Sequence, residues 1–146
     1  MKKERFQAFV TGIAVCYKYI QKIKTVEMTE FGLKGAHAMC LFFLHSHPAG
    51  LTAAQLSQLC AEDKAAVSRS LASLAELGYI ESDEKKYRSL LRLTERGKEV
   101  ACHIDEMIER WVESGGDGLS EQDREAFYKA LELIANNLHD RIDEIE

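Results

Sequence analysis

The stretch LTAAQLSQLCAEDKAAVSRSLASLAELGYI, residues 51–80, has the grammar of two short helices joined by a tight turn and followed by a strand. Thr52 is placed to cap a helix whose N3 residue is Gln55, a capping-box pattern, and Leu56 and Leu59 supply its buried side. That helix is expected to run to about Cys60. Asp63 stands where a second helix begins, and Val67, Leu71, Leu74 and Leu77 recur at three- and four-residue spacing along one face until Gly78 ends it as a left-handed cap. The stripe leaves Lys64, Ala65, Ser68, Arg69, Ala72 and Ser73 largely on the other side. Such a face suits a DNA major groove about 12 Å wide: small residues permit close approach, hydroxyls bond phosphates or base edges, and Arg reads guanine or grips phosphate. Taken alone, the pattern fits an ordinary amphipathic helical hairpin as well as a helix-turn-helix, because its sequence signature is loose.

The following residues favour the second reading. Two strand-like runs, residues 79–82 and 89–94, flank the polar tract DEKKYR and predict a hairpin, or wing. Lys85, Lys86 and Arg88 would project from it toward a phosphate backbone or minor groove. A charged tip is also what a solvated hairpin carries, but this one follows directly on a candidate recognition helix. Thr94 can then cap the next helix, which opens TERGKEV.

Composition bounds the rest. The 146 residues, 46% of them hydrophobic, suit one compact domain or a small domain elaborated by helices. Pro48 is the one proline, and there is no low-complexity segment or internal repeat. MKKERFQAFV lacks a long apolar run and a small-residue cleavage site, and no later stretch has the length of a membrane span, so a cytoplasmic location without membrane attachment is expected. There is no Gly-rich phosphate loop, nucleophile elbow or H-E-x-x-H, and an enzyme or a cofactor is not expected. The net charge of −5 is unevenly spread. Residues 1–61 hold seven Lys/Arg against three Asp/Glu, residues 62–98 eight against seven, and residues 99–146 four against fourteen. Between positions 85 and 98 there are six basic residues and one acidic. A local basic stripe is sufficient for phosphate binding, while an acidic far side discourages promiscuous contacts.

Near the N-terminus, Phe6, Phe9, Val10, Ile13, Cys16, Tyr17, Ile20 and Ile23 make an apolar face wider than one neighbour requires. After the wing, Val100, Ile104, Met107, Ile108, Trp111 and Val112 mark a long helix stopped at Gly115, Gly116, Asp117 and Gly118. Ser120 caps another, which carries Phe127, Leu131, Ile134, Leu138, Ile142 and Ile145. Faces this apolar at both ends predict an intertwined homodimer, with a monomeric helical bundle as the alternative. A two-fold dimer would present its recognition helices one turn of duplex apart, about 34 Å, to a pseudopalindromic operator in double-stranded DNA.

The order of elements resembles the MarR (multiple antibiotic resistance regulator) family over nearly the full chain. The resemblance is carried by the helix at residues 33–44 before GLTAAQLSQL, by AVSRSLASLAELGYI, by the LTERG that closes the wing, and by LSEQDREAFYKALELIANNL. It implies a mainly α fold with a small β-hairpin wing, a winged helix-turn-helix with N- and C-terminal dimerisation helices. Residues 1–146 would be one domain, with a DNA-binding lobe at 31–98 and dimerisation helices at 1–30 and 99–146. The implied function is a sequence-specific, homodimeric transcriptional regulator, usually a repressor, released from DNA by a small effector or by oxidation. Thr52, Lys64, Ala65, Ser68, Arg69, Ser73, Lys85, Lys86 and Arg88 are the candidate DNA-binding residues, Ser68 and Arg69 matching the family's Thr/Ser-Arg pair. The chain departs from the family in the wing: an Asp-x-Arg-Asp-type motif is common there, whereas this chain has DEKKYR, so Arg88 or Lys86 would have to supply the minor-groove cation.

For sensing, the resemblance implies a pocket where the dimer helices meet the winged lobe, with Tyr17, His37, Cys40, Phe43, Met107 and Trp111 as candidates for a small organic effector. Aromatic and methionine side chains at helical spacing also serve as plain core. Cys16, Cys40, Cys60 and Cys102 show no C-x-x-C spacing, and most are expected to be buried small hydrophobes. Because some members sense peroxides through a first-helix cysteine, Cys16 is the redox candidate, although burial among apolar neighbours would blunt its reactivity. His37, His45, His47, Cys102 and His103 are zinc-binding types at poor spacing, and no metal site is assigned. The alternative function is a winged-helix interaction protein, or a redox or metal sensor, with weak or no DNA binding.

Overall fold

A computed structural model describes residues 1–83 and 89–146. Six α-helices and one antiparallel hairpin follow in order among these residues: α1 Lys2–Met28, a 3-10 turn Thr29–Phe31, α2 His37–Ser46, α3 Ala53–Cys60, α4 Lys64–Glu76, β1 Ile80–Ser82, β2 Leu91–Leu93, α5 Glu95–Gly115 and α6 Glu121–Ile145. The fold class expected from the sequence is the one observed. The chain divides into two compact units, Met1–Met107 and Ile108–Glu146.

In the first unit the core gathers where α2, α3, α4 and the hairpin meet. Leu41, Leu44, Leu56, Val67, Leu74 and Ile104 are all but fully buried, each such side chain contributing about 1.5–3 kcal/mol by leaving water. The hairpin pairs Ile80 with Leu93, Glu81 with Arg92 and Ser82 with Leu91. Leu51 adds a single bridge on the other side of β2, exchanging two backbone hydrogen bonds with Leu91 at 3.1 and 2.8 Å. This ties the start of the helix-turn-helix to the base of the wing.

The caps fall where the sequence put them. Thr52 accepts from the Gln55 amide while the Gln55 side chain accepts from the Thr52 amide, completing the capping box. Asp63 Oδ1 accepts from the Ala66 amide at 2.7 Å to start α4. Gly78 takes φ +81° just beyond the end of α4, a left-handed conformation that costs glycine little. Thr94 Oγ1 accepts from the Gly97 amide at the start of α5 and donates to the Gly78 carbonyl at 2.7 Å.

Three expectations are corrected. The helix expected at residues 33–44 begins only at His37, because residues 33–36 form a turn in which the Lys34 amide donates to His37 Nδ1 at 3.0 Å and Gly35 lies against Thr25. Leu59 is exposed, and Ser57 turns inward instead, its hydroxyl donating to the Glu62 carbonyl across the turn. Leu77 is exposed as well, since the chain leaves the helix there and Tyr79 takes the next buried position, its amide donating to the Leu74 carbonyl.

The expected apolar faces of the terminal helices are present. In α1 only Met28 is buried, while Phe6, Phe9, Val10 and Ile13 are exposed on the single chain. In the second unit Ser120 caps α6 through the Asp123 amide, and Arg124 donates to the Gly116 carbonyl at 2.8 Å, closing the turn. No residue of α6 is buried, and Phe127, Leu138, Ile142 and Ile145 stand exposed along it.

Candidate nucleic-acid interface

The turn between α3 and α4 decides how the candidate recognition helix is presented. Ala61 adopts φ +52°, a left-handed conformation that costs an L-residue with a Cβ roughly 1–2 kcal/mol. It is held by backbone bonds from Ala61 to Gln58 and from Glu62 to Ser57, together with the Ser57 hydroxyl bond to Glu62. So fastened, α4 buries Val67, Ser70, Leu71 and Leu74 and turns Lys64, Ala65, Ser68, Arg69 and Ala72 to solvent, with Ser73 at the margin. That division matches the sequence expectation. Lys64 and Arg69 are both exposed, two cations on the solvent face of α4.

Thr52, at the head of α3, borders an open groove of about 630 Å³ shared with Gln55 and with Ser82, Ser89 and Leu91 of the hairpin. The groove is therefore bounded by a helix N-terminus on one side and by wing hydroxyls on the other. Lys85, Lys86 and Arg88 lie outside the described residues.

Sequence reasoning missed Arg92. Its guanidinium reaches Asp83 Oδ1 at 2.8 Å across the base of the hairpin, so an acidic and a basic residue nine positions apart close the wing. The β-hairpin register carries the signal: once Ser82 pairs with Leu91, positions 83 and 92 are close neighbours. Arg96 was missed too. It donates to the Leu77 carbonyl at 2.9 Å and lies 4.5 Å from the centre of the Tyr79 ring, while the Tyr79 hydroxyl donates to the Phe31 carbonyl. The end of α4 is thereby fastened to α5 and to the turn after α1.

The effector candidates are dispersed in character. His37 and Cys40 are buried on one face of α2, and burial, with Lys34 adding to it, holds the His37 imidazole below its usual pKa. Met107 is buried and Phe43 half-buried against Phe42, whereas Tyr17 is exposed; Trp111 belongs to the second unit. The expectation that most cysteines are buried is corrected: Cys16 and Cys102 are exposed on the single chain, Cys60 is half-buried and only Cys40 is fully covered. His103 does not join Cys102 but faces Glu27 and Glu30 at 3.0 and 3.2 Å, and His45 meets Asp105 at 2.9 Å. His47 donates to the Phe43 carbonyl and so closes the end of α2.

Residues 31–89 match the family model described as the MarR family. A search of curated protein sequences found no match. Among solved structures, the transcriptional regulator SlyA superposes with a TM-score of 0.85 at 20% identity, over 94% of this chain and 99% of that one. A MarR family transcriptional regulator from Listeria monocytogenes, complexed with a 26mer DNA, gives 0.83 at 22% identity, over 90% and 89%. The S. aureus MepR–DNA complex gives 0.81 at 17% identity, over 90% and 97%. At these identities the likenesses establish the fold.

Proposed function

We infer that this winged-helix protein, whose residues 31–89 match the MarR family model, is a cytoplasmic, homodimeric, sequence-specific DNA-binding regulator that represses its target until a small effector binds. The observation that carries the reading is the solvent face of α4. Lys64, Ala65, Ser68 and Arg69 form a small, hydroxylated and cationic surface on a helix whose opposite side is committed to the core. Two relatives of the same fold were solved with DNA, which supports the assignment of that face to a duplex. In this reading Ser68 and Arg69 address base edges, Lys64 and Ala65 the leading turn, and Thr52 and Ser73 the flanking phosphates. Lys85, Lys86 and Arg88 serve the wing.

Dimerisation is supported by the large apolar side chains that α1 and α6 leave exposed on the single chain, Phe6, Phe9, Val10 and Ile13 on the first and Phe127, Leu138, Ile142 and Ile145 on the second. The effector reading rests on the family resemblance, with Tyr17, His37, Cys40, Phe43, Met107 and Trp111 as candidates. An effector would act by binding unequally to two dimer states that differ in the spacing of their recognition helices. Selection of genomic fragments by the purified protein tests the assignment. A recovered pseudopalindrome supports it, and recovery of no preferred sequence returns the chain to the interaction-protein alternative.

A further inference from the structure

Two residues of α5 grip the turn that follows α1. Arg96 and His103 are seven positions apart, close to two helical turns, and so lie near one face of α5. His103 sets its ring edge-on to Phe31, centroids 5.0 Å apart, and its Nε2 faces Glu27 and Glu30 at 3.0 and 3.2 Å. Glu27 belongs to the last turn of α1, and Glu30 and Phe31 to the 3-10 turn that continues it. Arg96 reaches the same turn through Tyr79. Its Nη2 donates to the Tyr79 hydroxyl at 3.3 Å, and that hydroxyl donates to the Phe31 carbonyl at 3.3 Å, across 48 positions of sequence.

The backbone of Tyr79 is in turn fixed to the end of α4. Its amide donates to the Leu74 carbonyl at 2.9 Å, and its carbonyl accepts from the Thr94 amide at 3.1 Å. With Tyr79 only 3% exposed, a movement of the ring is passed to the backbone that closes α4.

We propose that Tyr79 is a positioning residue that couples the turn at the end of α1 to the end of α4, so that loosening the turn loosens the helix carrying Ser68 and Arg69.

The hydroxyl is the link that substitution can isolate. A phenol both accepts and donates, and here it accepts from a guanidinium and donates to a carbonyl. Phenylalanine keeps the ring and its stacking on Arg96 and loses both bonds. Because the exposed apolar side chains of α1 are assigned above to a second copy, the link would carry the state of that interface to α4. That consequence rests on the dimer and DNA readings. The coupling does not, because hydrogen exchange reads it on the protein alone.

The test is native-state amide exchange of the full chain for the parent, His103→Ala, Tyr79→Phe and the double variant, with His45→Gln as control. His103→Ala removes one grip of α5 on the turn and should speed exchange of the Gly32 and Leu33 amides, which donate to the Thr29 and Met28 carbonyls. It should also speed the Leu77, Gly78 and Tyr79 amides by about three- to tenfold relative to the Leu56 amide of α3. In Tyr79→Phe the α4 amides should already exchange faster, and adding His103→Ala should free the turn without moving them further. His45→Gln breaks a different α5 contact, the 2.9 Å pair with Asp105, and should leave the α4 amides as in the parent. If His103→Ala does not fold, Glu30→Gln, altered at the exposed partner, takes its place. Unmoved α4 amides in His103→Ala, an increase of the same size in the Tyr79→Phe background, or an equal increase in His45→Gln overturns the proposal. Faster α4 exchange with duplex affinity equal to that of the parent overturns the consequence for DNA alone.

Discussion

Arg96 on α5 donates to the carbonyl of Leu77 at the end of α4, N to O 2.9 Å, while the same guanidinium lies 4.5 Å from the centre of the Tyr79 ring. One side chain therefore caps α4 and clamps the residue that leads into β1. Lysine has neither the planar fork nor the stacking surface to do both. Arg96→Ala is expected to cost about 1–2 kcal/mol in urea unfolding, and Arg96→Lys to recover less than half of it. Full recovery by Lys would mean that charge alone matters at this position.

Gly97 is required by close approach. A Cβ there would run into the Tyr79 carbonyl oxygen and crowd Leu93, although the residue sits in the first turn of α5. Helix propensity alone would make Gly97→Ala stabilising by about 1 kcal/mol. The collision predicts the opposite sign, a loss of about 3 kcal/mol, measured as a lower denaturation midpoint.

His37 gives the first unit a pH dependence of definite sign. Its folded pKa lies below the ordinary 6.5, mainly through burial, so below that pH the unfolded chain takes up a proton that the folded chain resists. The His37 contribution is therefore full above about pH 6.5 and declines as pH falls toward the folded pKa. His37→Gln should flatten this part of the unfolding free-energy profile. An unchanged slope between about pH 6.5 and 5 would assign the dependence to other groups.

The terminal helices are predicted to be buried by a second copy of the chain. Ile13 on α1 and Ile142 on α6 are exposed on the single chain, and a charge at either would have to enter an apolar interface. Sedimentation should find a dimer for the parent protein and a shift toward monomer for Ile13→Glu and Ile142→Glu. Both variants should keep the helical circular dichroism of the winged lobe.

Much of this arrangement was legible in the sequence because its signals are local. The Thr52–Gln55 box, the Asp63 cap, Gly78 and Ser120 are each decided by a few neighbouring residues, and each falls where those residues put it. The buried stripe of α4 followed from helical spacing, but it failed at Leu77, where Tyr79 from beyond the helix took the core position. What could not be read depends on pairing across distance. The Asp83–Arg92 bridge needs the hairpin register, and the Arg96–Tyr79 clamp needs α5 docked against β1. For the candidate interface, the sequence separated the solvent face of α4 from its core face correctly, while the wing cations lie outside the described residues.

The most direct test of the DNA assignment is the affinity of the protein for a duplex from its own promoter region, measured by fluorescence anisotropy at several salt concentrations. Phosphate contacts through α4 and the wing predict a steep linear fall of log affinity with log salt, a loss on the order of a hundredfold or more between about 50 and 200 mM. Arg69→Ala should weaken binding by about tenfold at fixed salt. No binding even at the lowest salt, or equal affinity and equal salt slope for Arg69→Ala and the parent, would contradict the placement of DNA on this face.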